Sequence, residues 1–151
     1  MTSTQPAPAP TTTRRWSPAQ RFAALFGAAY LVVGVAGFAL TGVDDFAGHD
    51  HPPLLVFAVN PLHTVVHRVL AAAWLAGCLR HRSARLVNLA LGVVLGLVTV
   101  LGLVGGLGWL GMSGLADPDN FLHLATATLS LYFGSVAAGG PASREATAAA
   151  A

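Results

Sequence analysis

The placement of arginine between apolar stretches constrains this chain more than any other feature of its sequence. Seven of the eight arginines lie before the first apolar stretch, between the second and the third, or after the fourth, and the chain contains no lysine. The two other connections, around residues 44–51 and 117–119, contain aspartates and no arginine. Because basic residues near the ends of membrane spans are retained in the cytoplasm, this pattern predicts cytoplasmic termini, a cytoplasmic middle loop and two external acidic loops.

The composition also indicates a membrane protein. Apolar residues make up 54% of the chain and charged residues only 9%, whereas charged residues account for about 25% of an ordinary soluble domain. A chain of 151 residues has room for one domain and, once its polar ends are set aside, for four membrane crossings. We expect a multi-pass protein of the bacterial plasma membrane. Its expected partners are the lipid bilayer and either a second copy of the chain or other membrane proteins, but not nucleic acid.

Helix start and stop signals predict an all-α fold, a four-helix transmembrane bundle made of two hairpins with cytoplasmic N and C termini. The helices are predicted at about 17–42, 61–79, 84–107 and 120–138, within a membrane domain of residues 17–140. Residues 1–16 and 141–151 are expected to be disordered tails, because small residues dominate them without apolar periodicity. The first span is interpreted as an uncleaved anchor, since no Ala-x-Ala cleavage site precedes Asp44.

Small and polar residues within the predicted helices indicate how the helices pack. Four spaced glycines in the third helix would let a neighbouring helix approach closely. They are Gly92, Gly96, Gly102 and Gly106. In the fourth helix, His123, Thr126 and Ser130 form a polar stripe on one face, which we interpret as a means of joining helices rather than as a conduction path.

Three histidines carry the most suggestive chemistry. His63 and His67 are four residues apart and should share one helix face, while His123 lies near the start of the fourth helix. We expect the second and fourth helices to be neighbours, which would bring the three side chains within about 10–12 Å of one another at the external end. Such a cluster could bind zinc or copper, give haem an axial ligand, or relay protons. The alternative is that each histidine only anchors its helix at the membrane interface.

Arg68 departs from the arginine pattern because it follows the predicted start of the second helix by about 10 Å. A guanidinium at that depth in a bilayer needs a partner or must reach the lipid phosphates. The available acids are Asp44, Asp45, Asp117 and Asp119. An ion pair or contact with phosphate is the favoured interpretation, and substrate binding is the alternative.

The first external loop contains a second histidine pattern, His49-Asp50-His51. Together with Asp44 or Asp45 it could hold a metal ion. Short His/Asp tracts in loops rich in glycine and proline are more often only solvated, and we favour that interpretation.

The order of these motifs resembles the domain of unknown function 4383 family, small four-helix membrane proteins of high-GC bacteria. The resemblance covers about residues 17–138. It rests on two segments, Asn60-Pro61-Leu62-His63 with His67, and Asp119-Asn120-Phe121-Leu122-His123, and on the arginine-flanked first and third helices. It implies that Asn60, His63, His67, Asn120 and His123 are family features, and it implies no activity.

Two functional hypotheses remain open. The favoured hypothesis is a non-enzymatic membrane protein that assembles with partners or stabilises the envelope, and it requires no cofactor. The alternative is a membrane protein linked to redox chemistry or transport that binds a metal ion or haem through His63, His67 and His123. In both, a second group of residues is assigned a structural role: Asn60, Pro61, Arg68, Asp119 and Asn120.

Overall fold

The computed structural model describes residues 15–112 and 114–136. In this part of the chain the fold is all-α. The elements are α1 (Pro18–Thr41), α2 (Pro61–Gly77), α3 (His81–Leu103), a 3-10 turn (Gly108–Leu110) and α4 (Pro118–Val136). The helices pack as two pairs, α1 with α2 and α3 with α4, which confirms the two predicted hairpins. The predicted tails fall almost entirely outside the described residues.

Two of the four helices, α1 and α3, are long and apolar enough to cross a membrane. This result rests on length and composition alone. In each of these spans only 28% of the residues in the most apolar window are buried inside the protein, so most of their apolar side chains face outwards. Helix α2 has 17 residues and rises about 25 Å, slightly less than the ~30 Å of a bilayer's hydrocarbon core.

The first two helices begin at the capping residues that the sequence predicts. The Ser17 side chain accepts a hydrogen bond from the Gln20 backbone N–H at 3.3 Å, and the Gln20 side chain accepts one from the Ser17 N–H. Asn60 Oδ1 accepts a hydrogen bond from the His63 N–H at 2.9 Å, and Pro61 occupies the first helical position. These contacts satisfy N–H groups that the first turn of a helix leaves without partners.

The predicted boundary between the second and third helices was wrong. Helix α2 ends at Gly77 rather than at residue 79, and α3 begins at His81 rather than at Ala84. Arg82, which the prediction left between the helices, therefore belongs to α3, together with Arg85, which the prediction already placed in the third helix. The physical reason is that arginine is a good helix former and that neither glycine nor proline interrupts residues 78–84.

Helix α3 also ends four residues earlier than predicted, at Leu103 rather than at residue 107. Gly105 has a φ of +76°, which glycine adopts without a steric penalty. Its N–H donates to the Gly102 carbonyl, and the Gly106 N–H donates to the Leu101 carbonyl at 2.8 Å. This pair of bonds is a Schellman motif, which satisfies the last carbonyls and stops the helix.

The start of α4 also differs from the prediction, at Pro118 rather than at residue 120. The Asp117 carboxylate accepts a hydrogen bond from the Asp119 N–H at 3.0 Å, and Pro118 takes the first helical position. Asn120 is therefore the third residue of α4 and not its cap. The predicted end at residue 138 lies outside the described residues.

A buried asparagine joins all four helices at the centre of the bundle. Asn88 of α3 accepts a hydrogen bond from Trp74 Nε1 of α2 at 3.1 Å and donates one to the Ala19 carbonyl of α1 at 3.1 Å. Ser130 of α4 donates to the Asn88 backbone carbonyl at 2.7 Å. The Ser130 contact agrees with the interpretation of the α4 stripe as a means of joining helices.

Only part of the predicted glycine packing is present. A Cβ added to Gly92 would lie 2.8 Å from Leu131 Cγ of α4, so the pairing of α3 with α4 requires glycine there. A Cβ added to Gly96 would meet no atom within 4 Å. The expectation that Gly96 seats a neighbouring helix was wrong. Helix α4 runs along α3, with Gly92 beside Leu131 and Gly102 beside Asn120, but Gly96 does not face it.

The segment after α3 is packed rather than frayed. Leu107, Leu110 and Met112 are buried and form a small apolar cluster that contacts α2 at Leu62 and Val66. Asn60 Nδ2 donates to the Trp109 carbonyl at 2.9 Å, which fastens this segment to the start of α2. The segment therefore covers the end of the bundle where α2 and α4 begin.

Candidate metal centre

The three predicted histidines meet inside the covered end of the bundle. His63 and His67 project from α2, and His123 projects from α4. All three are almost completely buried, with at most 3% of each residue exposed. This burial distinguishes them from histidines that sit at a membrane surface with a solvated ring.

The imidazole rings are in mutual contact. The ring centroids of His63 and His67 lie 4.7 Å apart. The ring centroid of His123 lies 6.0 Å from the centroid of His63 and 6.0 Å from that of His67. One nitrogen of each histidine lies within 4.8 Å of the corresponding nitrogens of the others. The three side chains therefore lie well within the 10–12 Å expected from the sequence.

The positions of the histidines relative to the starts of their helices explain how His123 of α4 reaches His63 and His67 of α2. His63 and His67 are the third and seventh residues of α2, whereas His123 is the sixth residue of α4 because that helix begins at Pro118. At a rise of ~1.5 Å per residue, His123 lies at a depth between those of the other two. Helices α2 and α4 are not principal packing partners, contrary to the expectation, and histidine side chains from their first two turns make the contact between them.

Each imidazole has one buried nitrogen that makes no hydrogen bond among the described residues. These atoms are His63 Nδ1, His67 Nε2 and His123 Nδ1. A buried polar atom without a partner is costly, and native proteins leave few of them. Three of them in one cluster make these imidazoles the candidate ligands of a bound group.

The geometry suits a single metal ion. Three nitrogens bound ~2.0–2.1 Å from a tetrahedral zinc ion are about 3.4 Å apart. The nitrogens here lie within 4.8 Å, so small side-chain rotations would bring them to bonding distance. Imidazole nitrogen is a suitable ligand for both zinc and copper.

An aspartate completes the immediate surroundings of the three histidines. Asp119 is 1% exposed, and its Oδ2 lies 3.8 Å from His63 Nδ1 without a hydrogen bond among the described residues. The sequence offered Asp119 as one partner for Arg68. In the structure the Asp119 carboxylate faces the histidines instead. The carboxylate supplies an oxygen donor and a negative charge beside the three nitrogens.

Tyr30 of α1 also borders the cluster, and the sequence analysis did not identify it. Its ring centroid lies 4.8 Å from that of His67, and its side chain is buried. Nothing in the sequence relates Tyr30 to residues on other helices, because the contact depends on how α1 packs against α2. The site thus receives side chains from three helices.

The two asparagines in the matched Asn-x-Leu-His segments have different roles. Asn60 caps α2, and its Nδ2 joins the two loops by donating to the carbonyls of Gly48 and Trp109. Asn120 lies inside α4, where its Nδ2 donates to the Gly114 carbonyl at 2.7 Å. Both hold the loops closed over the histidines, so the structural role expected of them fits the observed contacts.

Arg68 lies outside this cluster. Its guanidinium carbon is 4.2 Å from the centre of the Phe38 ring, and it makes no ion pair with an acid among the described residues. One predicted partner, Asp119, faces the histidines instead. The aspartates of the first loop form no ion pair with Arg68 among the described residues. A cation–π contact with α1 therefore takes the place of the expected ion pair.

The second histidine pattern does not form a metal group. His49 is exposed, and His51 Nε2 lies 3.0 Å from the Asp45 carbonyl. Among the described residues, His63, His67 and His123 are the one group of this kind close enough to share an ion.

Comparison with known proteins agrees with the family resemblance. No curated protein and no solved structure matches the chain. The family model described as "Domain of unknown function (DUF4383)" matches residues 20–136, which include all four helices and the histidine cluster. Since this match covers most of the 151 residues, the chain belongs to the DUF4383 family.

Proposed function

We propose that this protein is an integral membrane protein that binds one divalent transition-metal ion, zinc or copper, through His63, His67 and His123. The single observation that carries this proposal is the group of three buried imidazoles with ligand nitrogens within 4.8 Å of one another. Of the two hypotheses drawn from the sequence, this geometry favours metal binding over a purely structural role.

Asp119 is the proposed fourth ligand. Its Oδ2 lies 3.8 Å from His63 Nδ1, close to the separation of two ligands on one tetrahedral ion. Its negative charge would offset part of the charge of a divalent cation in a buried site, where unpaired charge is costly. Three nitrogens and one oxygen form a donor set that zinc and copper(II) both accept.

The membrane location rests on separate support. Helices α1 and α3 are long and apolar enough to span a bilayer, and large apolar side chains such as Val32 and Leu97 are 66% and 60% exposed. In water such a surface would be unfavourable. We propose that all four helices cross the membrane with both termini in the cytoplasm, as the arginine distribution favours, so that the metal lies near the external end.

The test is metal binding by the purified full-length protein in detergent. The chain is treated with a chelator, and zinc or copper(II) is titrated in separate experiments with calorimetric detection. We expect one ion per chain for at least one of the two metals. His67→Gln should reduce the affinity more than tenfold, because removal of one of three nitrogens loses a ligand bond. His49→Gln, an exposed histidine, is the matched control and should bind as the wild type does.

A second pair of variants tests the fourth ligand. Asp119→Asn should weaken binding roughly 10- to 100-fold, the range seen when groups that tune a metal site are changed, whereas Asp50→Asn in the exposed loop should not. If neither metal binds the wild-type chain, or if His67→Gln and His49→Gln bind equally well, the proposal is wrong. Absorption spectra of the protein as purified would reveal haem in that case.

A further inference from the structure

A groove between α1 and α4 lies at the opposite end of the bundle from the histidines. Its volume is about 360 Å³, within the range of sites that hold small ligands. Its walls are almost entirely apolar, with one charged residue among them. The residues used below are Arg21, Phe22, Leu25 and Phe26 of α1, and Leu129 and Phe133 of α4.

Stacked aromatic rings make the floor of the groove rigid. The ring of Phe22 lies 4.2 Å from that of Phe26 and 5.0 Å from that of Phe133, with the planes inclined by only 23° and 22°. Phe22 is buried, whereas Leu25 and Leu129 on the rims are 67% and 42% exposed. The groove is therefore an apolar channel that opens to the surroundings of the helices and not into the core.

Arg21 gives this channel a charged end. It is exposed, and its guanidinium makes no hydrogen bond or ion pair among the described residues. The aspartates at 44, 45 and 50 follow the other end of α1, whose last residue, Thr41, is about 30 Å from Arg21 at the rise of an α-helix. Asp117 and Asp119 belong to the end of the bundle that carries the histidines. The negative partner of Arg21 is therefore not found among the acids of the described chain.

We propose that this groove binds one anionic phospholipid, with an acyl chain along the phenylalanines and the phosphate on Arg21. An apolar channel with a single cation at its mouth fits one acyl chain and the anionic headgroup of a phospholipid, whose second acyl chain would stay in the bilayer. Arginine is well suited to a phosphate oxygen because its guanidinium offers several N–H donors in a fixed geometry. The proposal is independent of the metal site, which involves none of these residues.

The test compares lipids that differ only in headgroup charge. Phosphatidylglycerol or phosphatidylcholine with identical acyl chains is added to the full-length protein in neutral detergent, and the thermal midpoint is followed against lipid concentration. Phosphatidylglycerol should raise the midpoint in a saturable manner and phosphatidylcholine should not. Inorganic phosphate at the same concentration should have no effect, which distinguishes a lipid site from a site for the free anion.

Two matched pairs of variants locate the effect. Arg21→Gln should raise the apparent dissociation constant for phosphatidylglycerol about fivefold, the effect of roughly one membrane-facing arginine. Arg82→Gln, which removes an exposed arginine that does not line the groove, should not. Leu129→Trp should obstruct the channel and abolish the saturable effect, whereas Leu97→Trp on the exposed face of α3 should retain it.

Other occupants would give different results. If a terminal segment of this chain covers the groove through Glu145, Glu145→Gln would lower the midpoint and phosphatidylglycerol would have no saturable effect. If a second copy occupies it, Leu129→Trp would change the oligomeric state measured by light scattering. Either result, or an equal response of the wild type and Arg21→Gln to phosphatidylglycerol, would overturn the proposal.

Discussion

The indole nitrogen of Trp74 donates a hydrogen bond to Asn88 Oδ1 at 3.1 Å, and both residues are fully buried. The same asparagine side chain donates to the Ala19 carbonyl, so one polar residue ties three helices together. In an apolar interior these groups have no alternative partner in water. The contact therefore fixes the relative rotation of the helices as well as their spacing.

Replacing Asn88 with alanine should destabilise the fold. The change leaves the buried Trp74 N–H and the Ala19 carbonyl without their partner, at an expected cost of about 1–3 kcal/mol. Unfolding of the purified protein in detergent measures this loss. Thr128→Ala is the control, because the exposed Thr128 hydroxyl bonds only to the Leu124 carbonyl of its own helix. Equal stability of the two variants would contradict a linking role for Asn88.

The two glycines of α3 offer a matched pair of substitutions. In Gly92→Ala the new Cβ would lie 2.8 Å from Leu131 Cγ and 3.0 Å from the Leu131 backbone nitrogen, so the helices must separate. We expect a loss of about 1–3 kcal/mol in unfolding free energy, typical of overpacking. In Gly96→Ala the Cβ meets no atom within 4 Å, and stability should be unchanged or should rise by up to ~1 kcal/mol because alanine favours helix. Thermal unfolding of both variants decides between these outcomes.

Removal of the metal should lower the stability of the folded state. An ion that binds only the native protein stabilises it by about 2.7 kcal/mol at a concentration one hundred times its dissociation constant. We therefore expect zinc or copper to raise the thermal midpoint of chelator-treated wild-type protein and of His49→Gln. The midpoint of His67→Gln should respond much less. A rise of equal size in all three would indicate nonspecific binding.

The proposed topology can be checked with reporter fusions. A fusion after Arg144 should report a cytoplasmic location, and a fusion within residues 44–51 should report an external one. The reason is that arginine is present in the segments expected to be cytoplasmic and is missing from residues 44–51. The opposite pattern at either point would show that arginine placement does not orient this chain. It would also move the proposed metal site to the cytoplasmic end.

The sequence predicted the class of fold and the helix starts that depend on local chemistry. Ser17 with Gln20, and Asn60 with Pro61, marked the beginnings of α1 and α2 because a cap acts within one turn. Other boundaries were less accurate. The prediction left Arg82 in a loop between the second and third helices, although the intrinsic preference of arginine is for helix. The end of α3 depended on which glycine of a glycine-rich segment adopts a positive φ, and composition alone cannot select it.

For the candidate site, the sequence determined that His63 and His67 share a face, since a spacing of four residues brings side chains together on any helix. Only the tertiary structure decided that His123 joins them, because α2 and α4 are not packed along their lengths and meet through side chains of their first two turns. The tertiary structure alone likewise decided the contacts that Asp119, Tyr30 and Asn88 make with residues of other helices. Contacts between residues far apart in the chain depend on helix rotation, depth and crossing point, and these are set by the packing of the whole bundle rather than by local sequence.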